Sequence, residues 1–184
     1  HPEKIGEFYS SEEVVKKLIE IAKKKNCNRF RVSGGEPILG KNSLEHLVKV
    51  VEMLKKSVEN MEFIIETNGL IIGAYPELRG ELERVKDCVY IRISIKGFDE
   101  KSFEKISFVD KKYFLFPLKA LKFLKENGFK AWPAIMFEVF GDEGIKMLKK
   151  KLGEFGINEE VEIEYLEKYS FVLENLEKRN IHIF

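Results

Sequence analysis

Three short stretches carry residue types able to hold a polar ligand: Ser33-Gly34-Gly35-Glu36-Pro37, Glu66-Thr67-Asn68-Gly69, and the alternating Arg92, Ser94 and Lys96 before Gly97. The first stretch pairs two glycines. Without Cβ atoms the backbone at Gly34 and Gly35 can turn sharply and approach a ligand closely, and its free N–H and C=O groups can grip the polar head of an amino acid. The same residues also make an ordinary strand-to-helix turn. In the second stretch a carboxylate, a hydroxyl and an amide stand side by side, a set that suits a cationic amino group, a ribose or a bound metal ion. Asn-Gly is also a common turn. Lys96 brings a positive charge that can pair with a ligand carboxylate or with Glu66, or simply face water.

The elements that must position these residues follow from periodicity. Ser10 and Glu13 are spaced as a capping box, and Val14, Val15, Leu18, Ile19 and Ala22 then form an apolar helical face. Strands are predicted at 29–32, 63–67, 89–96, 130–139 and 161–166. Helices are predicted at 43–56, 76–84, after Asp99, and at 117–126, 142–155 and 171–178, with Asn127-Gly128 and Gly156 as stops. All three candidate stretches therefore sit at carboxyl ends of strands.

Strands alternating with helices imply parallel strands joined by right-handed crossovers, either as an open doubly wound sheet or as a full or partial barrel. The faces of the third strand bear on that choice. Ile91, Ile93 and Ile95 share one face; Arg92, Ser94 and Lys96 share the other. A parallel strand covered by helices on both sides is apolar on both. The polar face must then meet water or a polar ligand, as in an open barrel interior, or else the strand lies at an edge with one wet face. The same parity places Arg31 with Ser33, and Glu66 with Asn68. Trp132, Met136 and Glu138 share one parity of the fourth strand and fit either a pocket or a core.

The chain has 184 residues, 44% hydrophobic and 34% charged, which fits one folded domain over residues 1–184. A net charge of +1 gives no overall field toward nucleic acid or anionic membrane, and the Lys23–Lys25 and Lys149–Lys151 runs read as solvated helix ends. No apolar run approaches the roughly 20 residues that span a bilayer, and no secretory signal opens the chain. Cys27 and Cys88 lie far apart in a Lys/Glu-rich sequence, which suits a reducing, cytoplasmic setting. His1, His46 and His182 are remote from the three stretches, so neither a Ser-His-Asp triad nor a zinc site is supported.

Taken in order, strands ending in Ser-Gly-Gly-Glu-Pro, Glu-Thr-Asn-Gly and Ile-Ser-Ile-Lys-Gly resemble the radical S-adenosylmethionine superfamily from about Ser10 to Leu166, most of all its glycyl-radical-activase-like branch. The resemblance implies an α/β fold, a partial (β/α)6 TIM-like barrel. It implies that Ser33, Gly34, Gly35, Glu36 and Pro37 form the loop whose backbone holds the cofactor's methionine amino group. Glu66, Thr67 and Asn68 would lie near the methionine moiety, where some relatives also bind a monovalent cation, and Arg92, Ser94 and Lys96 would line the pocket with Lys96 near the cofactor carboxylate. With a 4Fe-4S cluster, such an oxidoreductase core generates a 5′-deoxyadenosyl radical that takes a hydrogen atom from substrate. A reductant such as ferredoxin or flavodoxin and a substrate entering the open side, a macromolecule (protein or RNA), are also implied. Where this branch often has a Pro-Tyr-His-like segment, the chain has Glu167-Lys168-Tyr169, which leaves the role of Tyr169 open.

The chief departure concerns the cluster. The family's Cys-x-x-x-Cys-x-x-Cys loop is absent from this sequence, and Cys27 and Cys88 have the wrong spacing for it. Five strands are predicted where the resemblance implies six. The expectation is that the first strand and the cluster loop precede His1-Pro2. Two alternatives remain: a clusterless cofactor-binding or partner-docking module without radical chemistry, and a barrel enzyme for a phosphorylated substrate. The latter would need a Gly-rich phosphate nest near the last strands, where Glu167-Lys168-Tyr169-Ser170 stands instead.

Overall fold

Capping, periodicity and glycine placement produce eight α-helices and five strands in the computed structural model, which describes residues 6–181 and residue 183. The first helix, α1 (Ser11–Lys25), opens on the expected capping box: Ser10 N–H donates to Glu13 Oε2 at 2.7 Å and Glu13 N–H donates to Ser10 Oγ at 3.2 Å. Strand β1 (Arg29–Val32) leads to α2 (Lys41–Ser57). That helix starts slightly before Ser43, whose hydroxyl accepts the N–H groups of Leu39 at 2.8 Å and Gly40 at 3.1 Å and so ties the preceding loop to the first turn.

Strand β2 (Glu62–Thr67) is followed by the short helices α3 (Leu70–Ala74) and α4 (Arg79–Glu83), with a 3-10 turn at Pro76–Leu78 between them. Strand β3 (Val89–Ser94) stops short of the predicted Lys96, although Ile95 N–H still donates to Ala134 O at 2.8 Å. Then come α5 (Glu100–Ser107), a 3-10 turn at Lys111–Phe114, α6 (Leu115–Glu126), β4 (Lys130–Met136), α7 (Phe137–Glu154), β5 (Glu162–Glu164) and α8 (Ser170–Lys178). The β4 strand was expected to reach Val139. The chain instead turns helical at Phe137 and kinks at Gly141, whose φ of 59° and ψ of −175° interrupt α7 just before the predicted helix start at Asp142.

All four strand pairings are parallel, in the order β1-β2-β3-β4-β5. A doubly wound sheet reverses its order at a switch point. This one does not, so successive crossovers of one hand place the helices on a single face. The sheet buries Phe63, Ile65, Ile91, Ile93, Ala131 and Ile135 on that side, against α2, α6 and α7 residues such as Val48, Leu121 and Leu148. Strand β3 lies at the centre, which removes the edge-strand explanation of its polar face.

That polar face is concave. Arg92 of β3 reaches past β4 to Glu162 and Glu164 of β5, at 3.0 and 2.5 Å, while meeting Glu66 of β2 at 3.3 Å. Glu66 of β2, Arg92 and Ser94 of β3 and Glu164 of β5 thereby line one hollow. No helix among the described residues is long and apolar enough to cross a membrane.

Candidate functional site

The curl gathers the three predicted stretches into one cleft of about 280 Å³ at the carboxyl rim, lined by Gly34, Gly35, Glu36, Glu66, Thr67, Asn68, Arg92, Ser94, Lys96 and Glu164. Ser33, just before it, is exposed and does not line the cleft. Pro37 lies instead on a neighbouring apolar cleft of about 770 Å³ beside β1, which is an edge strand among the described residues, together with Phe8, Leu18, Phe30 and Leu47. That second cleft is larger and mainly apolar, with Glu7, Arg31 and His46 among its lining residues.

At Gly34 the φ of 105° is one that only glycine adopts readily. An added Cβ at Gly34 or Gly35 would meet nothing within 4 Å. Backbone is therefore what this loop presents to the cleft. The Glu36 carboxylate accepts from Thr67 Oγ1 at 2.6 Å, Asn68 N at 2.7 Å and Ile38 N at 3.0 Å. Thr67 Oγ1 in turn accepts from Gly69 N at 3.1 Å, and Asn68 Oδ1 from Leu70 N at 2.8 Å.

Charge on the cleft wall is organised by Arg92, whose side chain is only 6% exposed and spends its guanidinium on Glu66, Glu162 and Glu164. Burial disfavours the Arg92 cation, but bonds from Glu162 and Glu164 outweigh it and raise its pKa further. Burial alone would likewise raise the Glu162 carboxyl; hydrogen bonds from Arg92 and Trp132, with the charges of Arg92 and Arg31, bring it below the ordinary value. Arg31 also pairs with Glu66. The Lys96 ammonium donates to Ser94 Oγ at 2.8 Å and forms no ion pair among the described residues. Burial pushes its pKa down, Arg92 adds to the shift, and Glu164 and Glu66 oppose it.

Glu162 and Glu164 were not singled out in the sequence, although the alternation Glu160, Glu162, Glu164 carries the same polar parity as β3. Trp132 faces this polar side and donates its indole N–H to Glu162. Met136 packs against the core. Glu138 sits at the start of α7 rather than in a strand, and accepts Leu166 N at 2.9 Å, which ties the exits of β4 and β5 together. Tyr169 is 56% exposed, stacks on Phe171 and does not line the cleft. His46 bonds Ser11 Oγ at 3.2 Å and lines the apolar cleft rather than this one, and His1 and His182 lie outside the described residues.

A singly wound parallel sheet, curled and with its polar groups at the carboxyl rim, defines a barrel-type α/β protein with its site at strand ends. Residues 1–150 match the Radical SAM superfamily, and the chain belongs to that family. A probable GTP 3',8-cyclase of Thermoplasma volcanium is 30% identical over 107 residues, which are 57% of this chain and 29% of that protein. A solved structure of the cobalamin-dependent S-adenosylmethionine radical enzyme OxsB, with aqua-cobalamin bound, matches with a TM-score of 0.56 and 14% identity over 95% of this chain and 27% of its own. That second likeness is one of fold. The chain thus spans less than a third of either protein. Neither match supports the glycyl-radical-activase-like branch suggested by the motifs, since the curated relative is named as a cyclase.

Proposed function

We propose that the rim cleft binds S-adenosylmethionine and that residues 1–184 form the core of a radical enzyme that abstracts a hydrogen atom from a substrate entering the open side of the barrel. The observation that carries this reading is the meeting, in one cleft, of bare backbone at Gly34 and Gly35 with carboxylates on Glu66 and Glu164 and a Lys96 ammonium that lacks a carboxylate partner among the described residues. A zwitterionic amino-acid head needs both signs of charge and close backbone approach, and the cleft offers all three. When bound, the cofactor would supply a 5′-deoxyadenosyl radical on one-electron reduction. Lys96 would hold its proton toward the ligand carboxylate, with Ser94 fixing the direction of the ammonium. Arg92 would keep the Glu66 and Glu164 side chains on opposite walls.

The cysteines in this chain do not fit the 4Fe-4S cluster. Cys27 and Cys88 precede β1 and β3, at the end of the sheet away from the cleft, and burial raises the Cys88 thiol pKa, whereas a cluster ligand must be a thiolate. Under this reading the cluster ligands would come from residues other than Cys27 and Cys88. The expected monovalent cation has a competitor: at Glu66 the guanidinium groups of Arg31 and Arg92 already supply positive charge. A protein or RNA substrate and a ferredoxin or flavodoxin donor remain part of the proposal.

The test is Gly35→Val in the full-length protein, with S-adenosylmethionine binding followed anaerobically by equilibrium dialysis. The valine side chain enters open space, so the thermal midpoint should hold while binding is lost. Undiminished binding would overturn the assignment of the cleft. Binding by the wild type without release of 5′-deoxyadenosine after cluster reconstitution would favour the module without radical chemistry.

A further inference from the structure

We infer that Glu36 is a positioning residue: its carboxylate buckles the loop after β1 to the loop after β2, and this fastening, not a contact with the ligand, holds the Gly34–Gly35 backbone in register with the cleft. The inference rests on the reading of the cleft as the S-adenosylmethionine site and assigns Glu36 a role within it.

The carboxylate is already committed on both oxygens. Oε1 accepts from Ile38 N at 3.0 Å within its own loop and from Thr67 Oγ1 at 2.6 Å across the rim, while Oε2 accepts from Asn68 N at 2.7 Å. Thr67 is 3% exposed, and its oxygen also accepts from Gly69 N at 3.1 Å. A chain of bonds therefore runs from the turn after β2, through a buried hydroxyl, into the glycine loop.

Three donors converge on Glu36, so the position calls for a group that only accepts. A carboxylate does this; a carboxamide would turn its NH₂ toward one of those donors. Bonds to a charged acceptor are also the stronger kind.

The glycine stretch needs such a tie because only Ile38, further along the loop, packs into the core. Gly34 and Gly35 carry no side chain, and no atom lies within 4 Å of where their Cβ atoms would stand. Glycine backbone is the most costly to order. The far end of the loop is pinned by Ser43 Oγ, which accepts from Leu39 N and Gly40 N, and the near end by pairing of Val32 with Ile65. Between these two anchors the loop is held by the Ile38 side chain in the core and by the bonds of the Glu36 carboxylate, which lies next to the glycines. Ordering the loop before the ligand arrives removes that entropy from the cost of binding.

The experiment compares Glu36→Gln, Thr67→Val and Thr67→Ser in the full-length protein by two readouts. One is amide hydrogen exchange at Ile38 and Asn68 without ligand; the other is the S-adenosylmethionine dissociation constant. Glu36→Gln should speed exchange at both amides. Losing one charged hydrogen bond should weaken binding roughly 10-fold or more in Glu36→Gln and Thr67→Val. Thr67→Ser keeps the hydroxyl and should bind as the wild type does, whereas Thr67→Val keeps the volume and should not. The Glu36→Gln/Thr67→Val double variant should be weaker by less than the sum of the two single losses, because both remove the Thr67–Glu36 bond while Thr67→Val also removes the acceptor of Gly69 N.

Unchanged exchange in Glu36→Gln would overturn the buckle. Faster exchange with intact affinity would overturn the positioning role. If Glu36→Gln fails to fold, the serine–valine contrast at Thr67 still decides, and equal affinities there would refute the inference. A wild type that binds no S-adenosylmethionine would end the reading of the cleft and the ligand-positioning role with it, while the exchange data still judge the fastening itself.

Discussion

Arg92 and Ile93 are neighbours on β3 and point to opposite faces of the sheet. Ile93 is fully buried on the helix-covered side among Ile65, Ile91 and Leu121. Arg92 is nearly as inaccessible, at 5% exposure, yet its surroundings are three carboxylates. The two positions are held by different physics. Apolar burial is additive in area and forgiving of small trims. A network of desolvated charges is balanced only as a set, so removing one member strands the rest. The helix-covered face can therefore drift in sequence while the cleft wall cannot lose a single charge cheaply.

Substitutions at adjacent positions sharpen that contrast. Arg92→Met leaves Glu162 and Glu164 without their cation and should cost on the order of 2 kcal/mol in urea unfolding, less than a fully buried pair would, because Glu162 is 43% exposed and water screens part of the loss. Ile93→Val removes one methylene and should cost about 1 kcal/mol. An Arg92→Met loss no larger than that of Ile93→Val would mean that water, not the guanidinium, neutralises the wall.

The smallest expected effect has the opposite sign and depends on pH. Burial, with Arg92 contributing, holds the Lys96 pKa below its ordinary 10.5. Between the folded pKa and 10.5 the unfolded chain binds the extra proton, so this group's contribution makes stability rise with pH through that window and is unfavourable below it. Lys96→Met should abolish that rise and slightly stabilise the apo protein at neutral pH. Urea midpoints of both proteins from pH 7 upward check it; parallel curves would show that Lys96 is solvated after all.

Much of this arrangement was legible beforehand, because period-2 alternation in 90–96 and the glycine-bearing strand ends depend on local chain geometry alone. Convergence of 34–36, 66–68 and 92–96 followed from strand order. The fate of Arg92 did not. It was expected to line the pocket, and it lines the cleft, but its pairing with Glu162 and Glu164, brought from β5, was not foreseen. Nor did the alternation in 130–139 reveal that β4 ends at Met136, because a strand parity and the first turn of a kinked helix read alike over three residues. The commitment of Glu36 to Thr67 and Asn68 likewise depends on a pairing 31 and 32 residues away in sequence.

Among the described residues the sheet ends in two edge strands, β1 and β5, whose inward residues are Arg29 and Arg31 on one side and Glu162 and Glu164 on the other. Open strand borders invite further chains to add on, and inward charge is one way proteins discourage it. Left bare, a basic border and an acidic border would attract one another between molecules and propagate head to tail. Here Glu62 and Glu66 cover the arginines, and Arg92 covers the glutamates, within the same molecule. Among the described residues, the carboxylates and guanidinium groups at each border thus find their partners inside the molecule rather than in a second copy.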